Sequence, residues 1–225
     1  MKTLVIVGAG TGLGLSIAKK FGAKGFRVAT ISRNAEKLKV IQENLSNLNI
    51  ETKTYIADIT DLEELKKSIQ TIKIEFGSID VIEFSPHAKE DKFTNILETT
   101  PDSVSEMLKT YLFPSIQLVN DVLPDMINKE DGAILFTTGV STIFPLPFAG
   151  NAGIIGAGLR NYAESLYTQL EDKNIFIRHL SIGTVIEPGT VGDPNLIAEA
   201  WYNLYNQREK FEETFPKDLK QSDIF

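Results

Sequence analysis

Apolar positions along the chain fall into two regimes. Short, nearly unbroken apolar runs occur at Leu4 to Val7, Arg27 to Ile31, Ile79 to Phe84, Ala133 to Thr137 and Ile175 to Ile182. Runs of this length predict strands covered on both faces, as in a parallel sheet. Thr54 to Ala57 joins them as a weaker strand ending at Asp58. Between the runs, apolar residues recur at helical spacing. Leu15, Ile17, Ala18 and Phe21 mark the first helix, and Leu38, Ile41 and Leu45 mark a second from Asn34 to Leu48. Leu62, Leu65, Ile69 and Ile72 stripe a third helix, capped by Asp61 and running to about Phe76. Further helices are predicted from Ser103 to about Asn128, from Ala149 to about Asp172, and from Leu196 to about Glu209, the last carrying Trp201. Pro114 lies inside the longest of these and should bend or break it, since it removes one helical hydrogen bond.

Strand and helix therefore alternate throughout. The alternation predicts an α/β chain with a doubly wound parallel sheet in three αβα layers. A single domain over residues 1–225 is the simplest reading, with a short C-terminal tail from about 210 to 225. In that tail Phe211, Phe215 and Phe225 stand among charges, suited to dock on the sheet edge or on another subunit.

The stretch from Leu4 to Phe21 adds chemistry to the pattern. Gly8, Gly10, Gly12 and Gly14 lie between the first strand and the first helix. A strand, a glycine turn and a helix N-terminus in that order aim backbone N–H groups at a phosphate. Glycine is required there because a Cβ would oppose the tight turn and hold a pyrophosphate away. The alternative is a glycine-rich turn that binds nothing. A Rossmann-type nucleotide site is the stronger expectation, because both flanks have the right pattern.

Composition narrows the partners. The chain has 225 residues, 42% of them hydrophobic and 24% charged, as in an ordinary globular protein with one substantial core. A net charge of −7 argues against nucleic acid or an anionic membrane as partner. Cysteine is absent, which excludes disulfides, thiol catalysis and thiolate metal sites. With only two histidines a zinc site is not expected, and no metal is assigned. No apolar run approaches the roughly 18 residues a membrane span needs. The first strand begins so early that no signal peptide is expected before it, and a cytoplasmic protein fits.

Gly8, Gly12 and Gly14, with Val7 in place of a threonine, resemble T-G-x3-G-x-G, the cofactor loop of the short-chain dehydrogenases/reductases. The resemblance covers most of the chain and implies a nicotinamide dinucleotide. It places Thr11 near the adenosine ribose and the Leu13 N–H at the pyrophosphate. Asp58 and Ile59, in A-D-I-T-D, match the family's adenine contact, although Asp58 could instead be a helix cap. Ser85, Thr184 and Ile186 fall at further cofactor positions. In NAD enzymes an acidic residue about 20 positions past the glycines binds the ribose 2′-OH. Here Ser32, Arg33 and Asn34 occupy that region. A guanidinium can pair with a 2′-phosphate that a carboxylate would repel, so Arg33 points to NADP(H) over NAD(H). The alternative for Arg33 is a solvated loop arginine.

The resemblance fails at the catalytic residues. The family uses a tyrosine acid/base, a lysine that lowers its pKa, a serine that polarises the substrate and an asparagine that supports a relay water. Carried over by their neighbours, these positions hold Ala152, Gly156, Gly139 and Tyr111. No lysine or tyrosine occurs between Asp131 and Arg160, whatever the register. General acid catalysis is typically worth about 10²–10⁴-fold, so ordinary chemistry through these positions should be very slow. Changes at the tyrosine and lysine positions should leave space beside the nicotinamide, part of which Tyr111 could fill. Gly150, Gly153, Gly156 and Gly158 share one helix, so cofactor, Tyr111 or a partner helix should press against its backbone.

A divergent subgroup of the family is similar in Ser85-Pro86, in Phe136-Thr-Thr-Gly139, in Leu159-Arg-Asn161 and in the Ile197-Ala-Glu199 region. Its substrates are mostly undescribed. The substrate lid after the sixth strand is also reduced here. Tyr111 is the best substitute proton donor, with core filler as its alternative. His87, after the fourth strand, is the second, with an ordinary surface-loop histidine as its alternative. Glu83 lies near the end of a central strand, where a carboxylate must be paired, and is either functional or bound to a structural arginine or backbone N–H. Ser85, Thr138 and Ser141 receive no catalytic role.

Three functional readings follow. The first is an NADP(H)-dependent oxidoreductase of a carbonyl or alcohol with a non-standard active site. The second is a catalytically silent NADP(H)-binding regulatory or scaffold protein, and the third a non-redox enzyme on the same fold. A small-molecule substrate is expected under the first. Family members often pair through their long helices, so a homodimer or homotetramer is expected. Ile116, Leu118, Val119 and Leu123 would face either a partner or the core.

Overall fold

The computed structural model describes residues 1–88, 92–207 and 210–224. Phe225 and the expected helix end at Glu209 lie outside the described residues. The elements run β1 (Thr3–Val7), α1 (Leu13–Gly22), β2 (Arg27–Ser32), α2 (Ala35–Ser46), β3 (Thr52–Ile56), α3 (Leu62–Phe76), β4 (Val81–Phe84), α4 (Pro101–Met107), α5 (Phe113–Lys129), β5 (Gly132–Gly139), α6 (Gly150–Leu170), β6 (Ile175–Ile182), α7 (Pro194–Asn206) and β7 (Glu212–Phe215). Among the described residues, seven strands form one sheet in the order β3-β2-β1-β4-β5-β6-β7, every pair parallel. The apolar faces of α1, α2 and α7 pack on one side, and those of α3, α5 and α6 on the other. This is the Rossmann-type three-layer arrangement expected from the sequence. No helix among the described residues is long and apolar enough to cross a membrane.

The apolar runs become strands because both sides of the sheet are covered. Leu4, Val5, Ile6 and Val7 in β1 are all fully buried. Asp61 caps α3, its Oδ1 accepting from Glu63 N at 3.0 Å and Glu64 N at 3.1 Å. Asp61→Ala should therefore cost about 1 kcal/mol of stability, read as a lower urea midpoint at unchanged m-value.

Two expectations take definite form. The tail docks on the sheet edge, one of its two expected placements: Glu212–Phe215 is a seventh strand, with His179 opposite Glu212 and Ile182 opposite Phe215. The long helical region divides in two. A single π turn, Leu108–Leu112, separates α4 from α5, with Pro114 buried in the first turn of α5. A proline has no N–H for the carbonyl four residues back and its ring crowds that carbonyl, so the break appears one turn upstream. On α5, Leu118 and Val119 are core residues, and Leu123 packs against the same core.

Candidate functional site

The C-terminal ends of the strands carry the glycine loop. Gly8 sits at φ +87°, and a Cβ there would lie 2.6 Å from Pro86 Cα, so the loop after β4 closes directly over it. Gly8 N and Ala9 N both donate to Ile31 O at 3.0 Å, fixing the loop to β2. Gly14 packs on Ala9, whereas a Cβ at Gly10 or Gly12 would meet nothing within 4 Å. The loop is thus clamped at its ends and open on the side toward α1, where the Leu15 N–H donates to Gly10 O at 2.9 Å and those of Leu13 and Gly14 have no partner within the helix. Thr11 and Gly12 are exposed, with Leu13 half-buried behind them. These residues fit a pyrophosphate.

At the far end of the loop, Arg33 follows β2 and Asp58 follows β3, their charged groups 3.9 Å apart. Arg33 remains largely exposed, with 66% of its side chain accessible. Asp58 does not cap a helix; it accepts from Thr60 N at 2.9 Å and Thr60 Oγ1 at 2.8 Å. Partial burial pushes its carboxyl up, but the Thr60 donors and the Arg33 charge outweigh this and hold it below the usual carboxylate range. Ile59 packs against the core. Ser32 ends β2, and Asn34 caps α2 by accepting from Lys37 N at 2.9 Å. In the loop after β6, Thr184 is half-buried and Ile186 exposed.

The positions under the expected nicotinamide end hold no ordinary proton donor. Gly139 is exposed at the end of β5. Tyr111 is turned into a satellite cluster with Ala88, Met107 and Ile155, and its hydroxyl oxygen accepts from Ala88 N at 2.8 Å. Burial raises its pKa, partly offset by that N–H. Tyr111 therefore packs against a small core cluster. His87 is an exposed loop residue, its ring edge-on to Phe93.

The glycine stripe of α6 has a different cause from the one expected. Gly153 and Gly156 lie against Ser141 and Thr142, in the turn that follows β5, and Gly150 lies against Ile96 and Thr99. The chain's own loops press on this helix at three of its four glycines. Tyr111 does not take the space at Ala152. Ala152 packs with Val140, Leu146 and Ala149, joined by Leu219 and Ile224 from the segment after β7.

Two buried polar arrays lie just below the strand ends. Glu83, fully buried in β4, takes neither an arginine nor a backbone N–H among the described residues. Its Oε1 accepts from Thr137 Oγ1 at 2.6 Å and its Oε2 from Ser85 Oγ at 2.7 Å. Trp201 Nε1 donates to the same Thr137 oxygen at 2.8 Å, extending the chain across to α7. Burial without a charged partner pushes the Glu83 carboxyl up to about 7, against the lowering effect of the two hydroxyls. On the other face, fully buried His179 in β6 joins Thr138 of β5 to Glu212 of β7. Sequence reasoning missed this second array because its members are non-local. The only signals were a polar histidine inside an apolar run and a threonine pair at a strand end.

A family model described as short chain dehydrogenase matches residues 2–192. Hydroxysteroid dehydrogenase-like protein 1 from Gallus gallus is 27% identical over 184 residues, 79% of this chain and 54% of that protein. The chain thus spans about half the length of that relative. Among solved structures, a short-chain dehydrogenase from Rhodopseudomonas palustris superposes with a TM-score of 0.83 at 25% identity, covering 95% of this chain and 97% of that one. L-sorbose reductase from Gluconobacter frateurii, complexed with NADPH and L-sorbose, gives 0.82 at 17% identity, covering 92% and 90%, a likeness of fold alone.

Proposed function

The chain belongs to the short-chain dehydrogenase family, and from that premise we propose that it is an oxidoreductase that binds NADP(H) in preference to NAD(H) and acts on a carbonyl or alcohol. The observation that carries the reading is the glycine loop with open space at Gly10 and Gly12, continued by an exposed guanidinium at Arg33. Thr11, Gly12, Leu13 and Gly14 would hold the pyrophosphate at the α1 N-terminus. Arg33 would pair with the 2′-phosphate, displacing its weak contact with Asp58, while Asp58 and Ile59 border the adenine. Thr184 and Ile186 would meet the nicotinamide end. The bound dinucleotide supplies or accepts a hydride there. NADPH in the superposed sorbose reductase supports the cofactor assignment by analogy of fold.

Titration of the protein with NADPH and NADH, by fluorescence or calorimetry, tests the reading. Arg33→Ala should weaken NADPH about tenfold, the loss of one exposed charge-assisted contact, and leave NADH unchanged. Equal affinities in the native protein would overturn the NADP(H) preference.

A second reading, binding without turnover, is favoured by one observation. The expected tyrosine position, Ala152, lies in an apolar cluster with Leu219 and Ile224. A stoichiometric NADPH complex that reduces nothing on a broad carbonyl panel would select this reading.

A further inference from the structure

On the α6 side of the sheet, parallel register sets three side chains in line. Thr138 Oγ1 lies 2.7 Å from His179 Nε2, and His179 Nδ1 lies 2.8 Å from Glu212 Oε2. Arg160 of α6 grips Glu212 with both ends of its fork, Nε to Oε2 at 2.6 Å and Nη2 to Oε1 at 3.1 Å. His179 is fully buried, and Phe211 stacks on its ring at 6.2 Å. Thr138 is half-buried at the strand end, next to exposed Gly139. Hydroxyl, imidazole and carboxylate thus run from the end of β5 through buried His179 to half-buried Glu212 on the edge strand.

The polarity of the array follows from Glu212. Burial pushes its carboxyl up, but the hydrogen bonds from His179 and Arg160 outweigh burial and hold it below the usual range. An ionised carboxylate only accepts, so Nδ1 carries a hydrogen, and Nε2 is the atom that exchanges a proton with Thr138. The ionisable groups facing the ring are Glu212 from β7 and Arg160 from α6, with Glu164 beyond the arginine and Tyr167 across Phe211. Among the described residues, the Thr138 hydroxyl faces the ring from β5, with Ser181 Oγ of β6 3.5 Å from that hydroxyl and the Arg178 guanidinium of β6 over the Tyr167 ring.

We propose that Thr138 is the hydroxyl that exchanges the reaction's proton with the substrate oxygen, with His179 as the proton store behind it and the Glu212–Arg160 pair holding the ring. The inference rests on the oxidoreductase reading. In the reducing direction, the nicotinamide, when bound, would supply a hydride to the carbonyl carbon from its own C–H bond. The carbonyl oxygen would take the Thr138 hydroxyl proton, and Thr138 the proton on His179 Nε2. One C–H and one O–H bond would form as the C=O π bond, the nicotinamide C–H bond and the Nε2–H bond are lost, and because the ring is fully buried its proton would return through the half-buried Thr138 hydroxyl. Oxidation of an alcohol runs the same transfers backward. Thr138 would act beside Gly139, where the family resemblance expects a serine, and would replace the missing tyrosine and lysine.

The test compares the native protein with Thr138→Val, Thr138→Ser and His179→Gln. Valine keeps the shape and the β-branch but removes the hydroxyl. Thr138→Val should bind NADPH like the native protein and lose about 10²–10⁴-fold in turnover, with Thr138→Ser recovering most of it. A merely structural threonine would show no such rescue. A second readout needs no dinucleotide. Because the chain has two histidines, the imidazole ¹⁵N spectrum is assigned by the signals lost in His179→Gln. The His179 Nε2 resonance should move in Thr138→Val and return in Thr138→Ser. Native-like turnover in Thr138→Val, or an unmoved Nε2 resonance, overturns the proposal while the oxidoreductase reading stands. Failure of the native protein to bind either dinucleotide overturns that reading itself, and the inference with it.

Discussion

Glu83→Gln is expected to remove a pH dependence of stability worth about 3 kcal/mol between pH 5 and pH 8. In the folded chain the Glu83 carboxyl sits near 7, against an ordinary value of 4.5. Between those two values the folded state keeps a proton that the unfolded chain has released. Stability is therefore fully present below the unfolded value and falls as pH rises through the folded one. Glutamine has the shape of the neutral acid and cannot ionise. Its oxygen and amide nitrogen can serve the hydroxyls of Thr137 and Ser85, as the protonated carboxyl does. The variant should match the native protein near pH 5 and exceed it at pH 8. Urea unfolding at both pH values measures the difference, and parallel stability curves would show that Glu83 is not the titrating group.

The second large effect concerns the missing catalytic pair. Reinstating tyrosine at 152 and lysine at 156 together should cost about 3 kcal/mol, lower Tm by roughly 6–12 °C and add no turnover beyond the native protein's. At 156 the new Cβ would run into the Thr142 side chain. At 152 the ring would enter the cluster of Val140, Leu146 and Ala149 that Leu219 and Ile224 already cover. A gain of about 1 kcal/mol from replacing a helical glycine offsets only part of this. Calorimetric melting and a carbonyl-reduction assay decide the matter. A stable double variant that turns over faster than the native protein would mean that the site is an ordinary one with two residues removed, rather than one rebuilt around smaller side chains.

What the sequence disclosed and what it withheld differ by range. The glycine loop, the Asp61 cap and the strand Ile175–Ile182 are written in contiguous residues, and all three were legible. The strand β7 was not: its four residues are half-buried, three of them are polar, and they pair only because β6 presents an open edge. The cause of the α6 glycines was also hidden, because Ser141 and Thr142 reach that helix only through the turn after β5. Thr137 and Thr138 look alike as sequence. Alternation in the strand sends one hydroxyl to Glu83 and the other to His179, on opposite faces of the sheet.

The strand order also governs how the chain can complete itself. β1 lies between β2 and β4, so its second edge has no partner until Val81–Phe84 has been made and has crossed over. That edge belongs to a run in which every residue is fully buried at the end. Each parallel pairing waits on a crossover of a dozen or more residues, whose loop must close before any ladder bond repays it. Such sheets assemble slowly, and their half-made forms offer an adhesive strand edge to other chains. For this protein the hazardous interval of biosynthesis is the one in which two or three strands exist and the fourth has yet to arrive.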